Sequence, residues 1–337
     1  MGRYILTSKM KILTLAVMVL IFVLAFISSI IVGQTPISVV QAIDSFLNYN
    51  EAVTEHVVVL KDRLPRAVIG AVIGACLAIA GALMQALTKN PLASPSIFGI
   101  NTGAIFFVVV GIVFFSVSSL QYLMWFAFLG ATIAAIFVYF LGSIGRDGLT
   151  PIKILLAGAA ISALFQSYTQ AILVMNEAGL QDVLFWLAGS ISGRTLDMLL
   201  PVLPFMIISI ITALFMGKAI NLLITGDDIA KGMGQKVWLV KVVMGVIVVF
   251  LAGSSVAVVG AVGFIGLVIP HIARAFTGND YRWLLPFAAV LGAVLLLLAD
   301  VVARLLIMPQ EVPIGVMTAI IGAPFFIYIA KRGVTKL

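Results

Sequence analysis

Apolar runs of about twenty residues, divided by short polar breaks, follow one another along almost the whole chain. A run of that length is what a helix needs to cross the hydrocarbon core of a bilayer. Only 10% of the 337 residues are charged and 63% are hydrophobic, where a soluble domain carries roughly a quarter charged residues. So little polar surface cannot cover a water-soluble fold, and the outside must face lipid. The sequence therefore predicts an all-α polytopic membrane protein. A net charge of +7 does not point to nucleic acid, because no basic stripe with interleaved aromatics is present.

The runs predict about ten spans, near 12–32, 64–87, 96–115, 121–142, 151–175, 197–217, 238–258, 262–276, 283–305 and 312–330. The eighth is short and holds Pro270, so a regular crossing there is in question. The first is too long for a signal-peptide core and lacks a cleavage site, and it reads as a span. With ten spans, fifteen of the twenty Lys and Arg fall on one side, including Lys89, Arg146 and Lys231. Only Lys61, Arg63, Arg66, Arg194 and Arg304 fall on the other. The positive-inside rule then places both termini in the cytoplasm of a cell whose plasma membrane holds the protein. Outside lie Gly33–Asp62, expected to hold a short helix, and Asn176–Arg194, whose Leu184, Phe185 and Trp186 suggest a segment lying along the interface.

Arg63 to Ala104 is the most informative stretch. Gly70, Gly74, Ala75, Ala78, Ala80, Gly81 and Ala82 make its helix suited to close packing inside a bundle, with Gln85 on the same helix. A turn at Asn90–Pro91 follows, then a segment broken by Pro95, Gly99 and Gly103. A second broken segment lies at 260–272, and interrupted spans in both halves hint at an inverted repeat. Gln85, Asn90, Ser94, Ser96, Asn101 and Thr102 are the candidate lining of a polar path. They can equally satisfy backbone groups freed at the breaks.

The spans hold few ionisable groups. Asp300 and Arg304 are one turn apart and are expected to pair. His271 reads as a structural hydrogen-bonder. No nucleotide-binding, hydrolase or metal-ligand motif is present, so no catalytic, cofactor or metal site is assigned. A proton- or ion-coupled secondary transporter would need intramembrane carboxylates, and their scarcity argues against that class. Lys218 to Lys241 is the largest cytoplasmic piece. Within it Asp227, Asp228, Ile229, Ala230, Lys231, Gly232, Met233, Gly234 and Gln235 read as a short helix that starts near Asp227 and stops at a glycine. Such a helix is either an ordinary solvated loop or a dock for a soluble partner.

Several long blocks resemble one family. RLPR (63–66), AGALMQALTKNPLASP (80–95), GINTGA (99–104), VGFIGLVIPHIAR (262–274), LLADVVAR (297–304) and EVPIGVMTAIIGAPFFIYI (311–329) are similar to the permease subunits of binding-protein-dependent ABC importers for ferric siderophores, haem and cobalamin. The resemblance implies the BtuC-like permease fold and a single transmembrane domain over 1–337, with a coupling loop at about 218–241. It implies two permease subunits, identical or paralogous, around a central path. A pair of ABC ATPase subunits would sit below and a substrate-binding protein or lipoprotein outside. It further implies that Arg63, Arg66 and Arg304 meet acidic residues of the binding protein and that Asp227 to Gln235 couples to the ATPase. A ferric siderophore is the expected cargo, with cobalamin or haem as alternatives.

Overall fold

The computed structural model describes residues 7–144, 150–176, 183–184 and 186–334. Its helices in chain order are α1 (Ser8–Ile31), α2 (Val39–Leu47), α3 (Leu64–Leu87), α4 (Ile100–Phe115), α5 (Leu120–Ser143), α6 (Pro151–Met175), α7 (Leu203–Phe215), α8 (Gly217–Leu223), α9 (Asp227–Gly232), α10 (Val237–Val259), α11 (Ile265–Thr277), α12 (Tyr281–Leu306) and α13 (Ile314–Val334). A short helix at Thr54–Val57 and a π-helical turn at Val58–Arg63 run directly into α3. The pieces at Gly33–Asp62 thus include the expected short helix, α2, closed by a capping box between Ser38 and Gln41.

Among the described residues six helices are long and apolar enough to cross a bilayer: α1, the continuous helix Thr54–Leu87, α5, α6, α10 and α12. The pair α7 and α8 makes a seventh crossing with a 60° bend, and α4, α11 and the first part of α13 are shorter apolar helices. These lie near the ten segments expected, of which six, or seven with the bent pair, are long enough to cross. The run expected at 197–217 is not one straight helix. Pro204 starts α7 afresh, and Gly217, pressed against Arg282, opens α8 in a new direction. The eighth segment is a regular helix in spite of Pro270. It starts after the non-helical residues 260–263 and a left-handed Phe264 (φ +66°), and the Gly266 carbonyl that Pro270, lacking an N–H, leaves open lies 3.4 Å from Gln85 Nε2.

Burial separates core from rim. The apolar window of the Thr54–Leu87 helix is 83% buried, against 22% in α1, so α3 is the axis of the bundle and α1 faces lipid. α3 packs on α12, α10 and α11, and glycines make the contact. A side chain at Gly74 would meet the Gly292 carbonyl oxygen at 2.3 Å, and one at Gly81 would meet that of Gly266 at 1.9 Å. Neither position has room for a methyl group. Without a hydrophobic driving force between helices in lipid, this backbone-to-backbone packing is what holds the bundle.

The two interrupted segments meet on this axis. One holds the turn Pro95–Phe98 and the left-handed Gly99 (φ +68°), and the other leads through Phe264 into α11. A side chain at Gly266 would contact both the Leu77 carbonyl, at 2.9 Å, and the Pro95 ring, at 3.1 Å. The two breaks are thus packed against the same turns of α3.

Candidate translocation path and docking surfaces

One end of the bundle carries a buried ionic cluster built from α1, α3, α12 and the α12–α13 connection. Arg66 on the first turn of α3 binds Asp300 through Nε at 2.9 Å and Glu311 through Nη1 and Nη2 at 3.0 and 2.9 Å. Arg304, one turn beyond Asp300 on α12, reaches Asp300 Oδ2 at 3.1 Å. It also donates to Ser29 Oγ and to the carbonyls of Ser29 and Val32, at 3.0 to 3.1 Å. Arg63 donates to the carbonyls of Ile30, Ile31 and Thr35. Its guanidinium fills the space beside Gly33, where any side chain would collide with Nη2 at 2.7 Å.

Arg63, Arg66, Arg304 and Asp300 are each 5% exposed or less. The resemblance implies that Arg63, Arg66 and Arg304 meet a binding protein; in this chain their side chains are turned inward. The last carbonyls of α1, left open at its end, need donors, and the arginines supply them. The Asp300–Arg304 pairing expected from spacing is present, and Arg66 joins it.

Arg194, at the same end, is also buried, and it lies over Trp186 with its guanidinium carbon 4.9 Å from the ring centroid. Trp186 is 1% exposed, so it does not lie along the interface as the sequence suggested, whereas Leu184 is exposed. Phe185 falls outside the described residues, as do Arg3, Arg146, Glu177 and Asp182.

The polar candidates of the first half divide. Gln85 Nε2 lies 3.4 Å from the carbonyls of both Gly266 and Leu267. Its Oε1 accepts from Arg274, which also donates to the Tyr281 hydroxyl at 3.1 Å. Asn90 Oδ1 accepts the Leu92 N–H at 2.9 Å, the Ser94 and Ser96 hydroxyls pair at 2.6 Å, and Thr102 Oγ1 donates to the Gly99 carbonyl at 3.0 Å. Gln85, Asn90 and Thr102 satisfy backbone groups where the helices start and stop, as the plainer reading of the sequence allows. Asn101 is half-buried beside them.

Thr102 does one thing more. With Gln166, Thr169 and Gln170 of α6 it lines a cavity of about 260 Å3. Gln166 and Gln170 stand one turn apart, both exposed, in the second half of an otherwise apolar helix. Leu164 and Tyr168 occupy the opposite face. An amide in hydrocarbon costs several kcal/mol, so this face of α6 does not front lipid.

At the other end of the bundle α9 begins after Gly226 (φ +133°) and gives way at Met233 and Gly234 (φ +83°), matching the short helix read from the sequence. Asp227 anchors it, accepting from Lys89 at 2.8 Å and Lys241 at 2.5 Å. Burial alone would raise the Asp227 carboxyl, but the hydrogen bonds from Lys241 and Lys89 outweigh it and hold the group below the usual carboxylate range. Ala230 is buried underneath, and Gln235 ties the segment back by donating to the Ala219 carbonyl at 2.9 Å. Asp228, Gly232 and Gly234 are exposed. Ile229 and Met233 are 56% and 69% exposed, and Trp238 nearby 67%.

Residues 20–332 match the model of the FecCD transport family. The chain belongs to the FecCD transport family. It is similar to the "Probable siderophore transport system permease protein YfiZ" of Bacillus subtilis (strain 168), with 55% identity covering 97% of this chain and 98% of that one. Similarity to the Fe(3+)-citrate import system permease protein YfmD of the same organism is 41%, over 97% and 96% of the two chains. A solved metal-chelate type ABC transporter in an inward-facing conformation superposes with a TM-score of 0.82 at 28% identity, covering 95% of this chain and 99% of that one.

As a FecCD permease the chain is a multi-pass membrane component of an ABC transporter with the BtuC-like fold. Sequence reasoning missed two features of it. One is the polar face of α6, for which Gln166 and Gln170 at a four-residue spacing were the available signal. The other is the partnership of Arg66 with Glu311, which lies in a connection 245 residues away and left no local trace.

Proposed function

We propose that this FecCD permease is the membrane path of an ABC importer that carries a ferric siderophore inward. The observation that carries the reading is end-to-end similarity to siderophore and ferric citrate permeases, without large gaps in coverage. The geometry supports it. A helix face bearing Gln166 and Gln170 beside Thr102 offers amides and no charge along a cavity otherwise walled by Ile105, Leu173 and Leu187, and suits a bulky cargo that must pass without being trapped. Two such faces, one from each of two permease subunits, would enclose the path.

The exposed apolar side chains of α9, Ile229 and Met233, stand at a position suited to an ATPase cleft, with Asp227, Ala230 and Gln235 fixing the helix to the body of the permease. ATP-driven closure of the ATPase pair would then tilt the spans through this contact. This end is cytoplasmic, as are both termini, and the whole chain works as one permease domain in the cell membrane. Hydrolysis belongs to the ATPase subunits. At the opposite end a substrate-binding protein docks. Arg63, Arg66 and Arg304 support that dock from beneath by fixing the ends of α1, α3 and α12.

Purification of the tagged chain from native membranes in mild detergent, followed by uptake in proteoliposomes, tests the reading. An ATPase subunit should copurify, and ferric siderophore uptake should depend on ATP and on the binding protein and be blocked by vanadate. Uptake that is insensitive to vanadate would favour an ion-coupled transporter, and uptake of haem or cobalamin in place of a siderophore would overturn the cargo.

A further inference from the structure

Arg194 stands apart from the other arginines at its end of the bundle. Arg63, Arg66 and Arg304 each hold several carbonyl or carboxylate oxygens. Arg194 is 6% exposed, yet its Nε has only the Ser190 carbonyl at 3.5 Å, and its Nη1 is buried with no hydrogen-bond partner. The Trp186 ring covers one face. Among the described residues no carboxylate offsets its burial, which lowers its pKa to about 10. A buried cation with no counter-charge is costly, and a side chain kept in that state is poised for an anion that arrives from elsewhere.

Space for that anion is present. Arg194 lines a cavity of about 610 Å3 between the end of α4, the start of α5 and the loop 186–194. That volume falls within the range of small-molecule sites, about 300–1,000 Å3. Ser118 and Ser190 bring hydroxyls to the cavity, and Ile112 and Leu123 bring apolar wall. Ser190 Oγ already accepts the Ser192 N–H at 3.1 Å, which leaves its own proton free to donate. The Ser192 hydroxyl serves Glu311, whose charge is in turn held by Arg66. Beside Gly193 (φ +70°) nothing lies within 4 Å of where a side chain would start, so the loop is open here.

We propose that this cavity is an anion subsite at the entrance of the permease, where Arg194 with the Ser118 and Ser190 hydroxyls takes a carboxylate-bearing arm of the metal chelate. The inference rests on the siderophore-importer reading. A small chelate suits the site better than a binding-protein side chain, because Arg194 is almost wholly enclosed and only a group small enough to enter the cavity comes beside it.

The test titrates the full chain, in lipid nanodiscs at low salt, with citrate as the probe carboxylate and calorimetry as the readout. Wild type should bind citrate saturably, Arg194→Gln should weaken binding by about tenfold or more, and Arg194→Lys should recover part of it. Ser118→Ala, at an exposed position that folding does not depend on, should weaken it about two- to threefold. An uncharged polyol should not compete. Absence of saturable binding, equal binding by Arg194→Gln, or equal competition by the polyol would overturn the proposal. So would a loss of binding-protein affinity in Arg194→Gln without citrate binding in wild type, since the anion would then come from the docked protein. Citrate binding is read on the permease itself. Failure of the assembled wild-type transporter to take up any ferric siderophore would strike the transport reading instead.

Discussion

The two ends of this bundle treat charge in opposite ways. At one end Arg63, Arg66, Asp300 and Arg304 are buried and bonded to one another or to helix-end carbonyls. At the other, Asp227 is shared between two lysines in partial contact with water, beside exposed Ile229 and Met233. A closed network fixes helix ends and has little left to offer a partner. An open segment with apolar side chains in water is incomplete until something covers it. The difference teaches that charged motifs recognisable in the sequence need not be exposed in the fold. The arginines that look like a rim in the sequence are framework in the structure.

Removing one member of the closed network should have the largest effect. Asp300→Asn leaves Arg66 and Arg304 buried without the carboxylate charge they share, and should cost about 3–5 kcal/mol, read as a loss of thermal stability in detergent. A change under about 1 kcal/mol would mean that water already reaches the cluster, and the contrast between the ends would fail. Next is the seam joining the two ends. Gly81→Ala puts a methyl group onto the Gly266 carbonyl and should destabilise by about 1–3 kcal/mol or more, with uptake lost in parallel.

Smaller effects on stability, and larger ones on assembly, are expected at the open end. Ile229→Asp and Met233→Asp should leave the melting temperature of the isolated permease unchanged. They should weaken ATPase copurification by about tenfold, about 1.4 kcal/mol each. A fall in permease stability instead would show that α9 belongs to the framework. Smallest is Lys241→Gln, which loosens Asp227 and should cost about 0.3–1 kcal/mol. The sign of the pH dependence follows from the depressed Asp227 carboxyl. The contribution is fully present at neutral pH and is lost as pH falls below about 4. The Lys241→Gln chain should therefore show a flatter stability profile in that acid range, measured by thermal unfolding across pH.

What the sequence determined by itself is the membrane class, the limits of most spans and the short helix at Asp227. Each of these is local. About twenty apolar residues make a span wherever they occur, and Gly226, two aspartates and Gly234 start and stop a helix without outside help. The small residues from Gly70 to Ala82 likewise announced close packing, although not that Gly292 and Gly266 would be the surfaces met. Only the tertiary structure decided where the charges go. Arg66 reads as an exposed cation until Asp300 and Glu311, more than two hundred residues away, are brought to it. Arg194 carries the same kind of charge, but its loop folds it over Trp186, and among the described residues no carboxylate bonds it. The free energy of a charge depends on burial and on partners within a few ångströms, and both are properties of the packed bundle, not of the residue's neighbours in the chain.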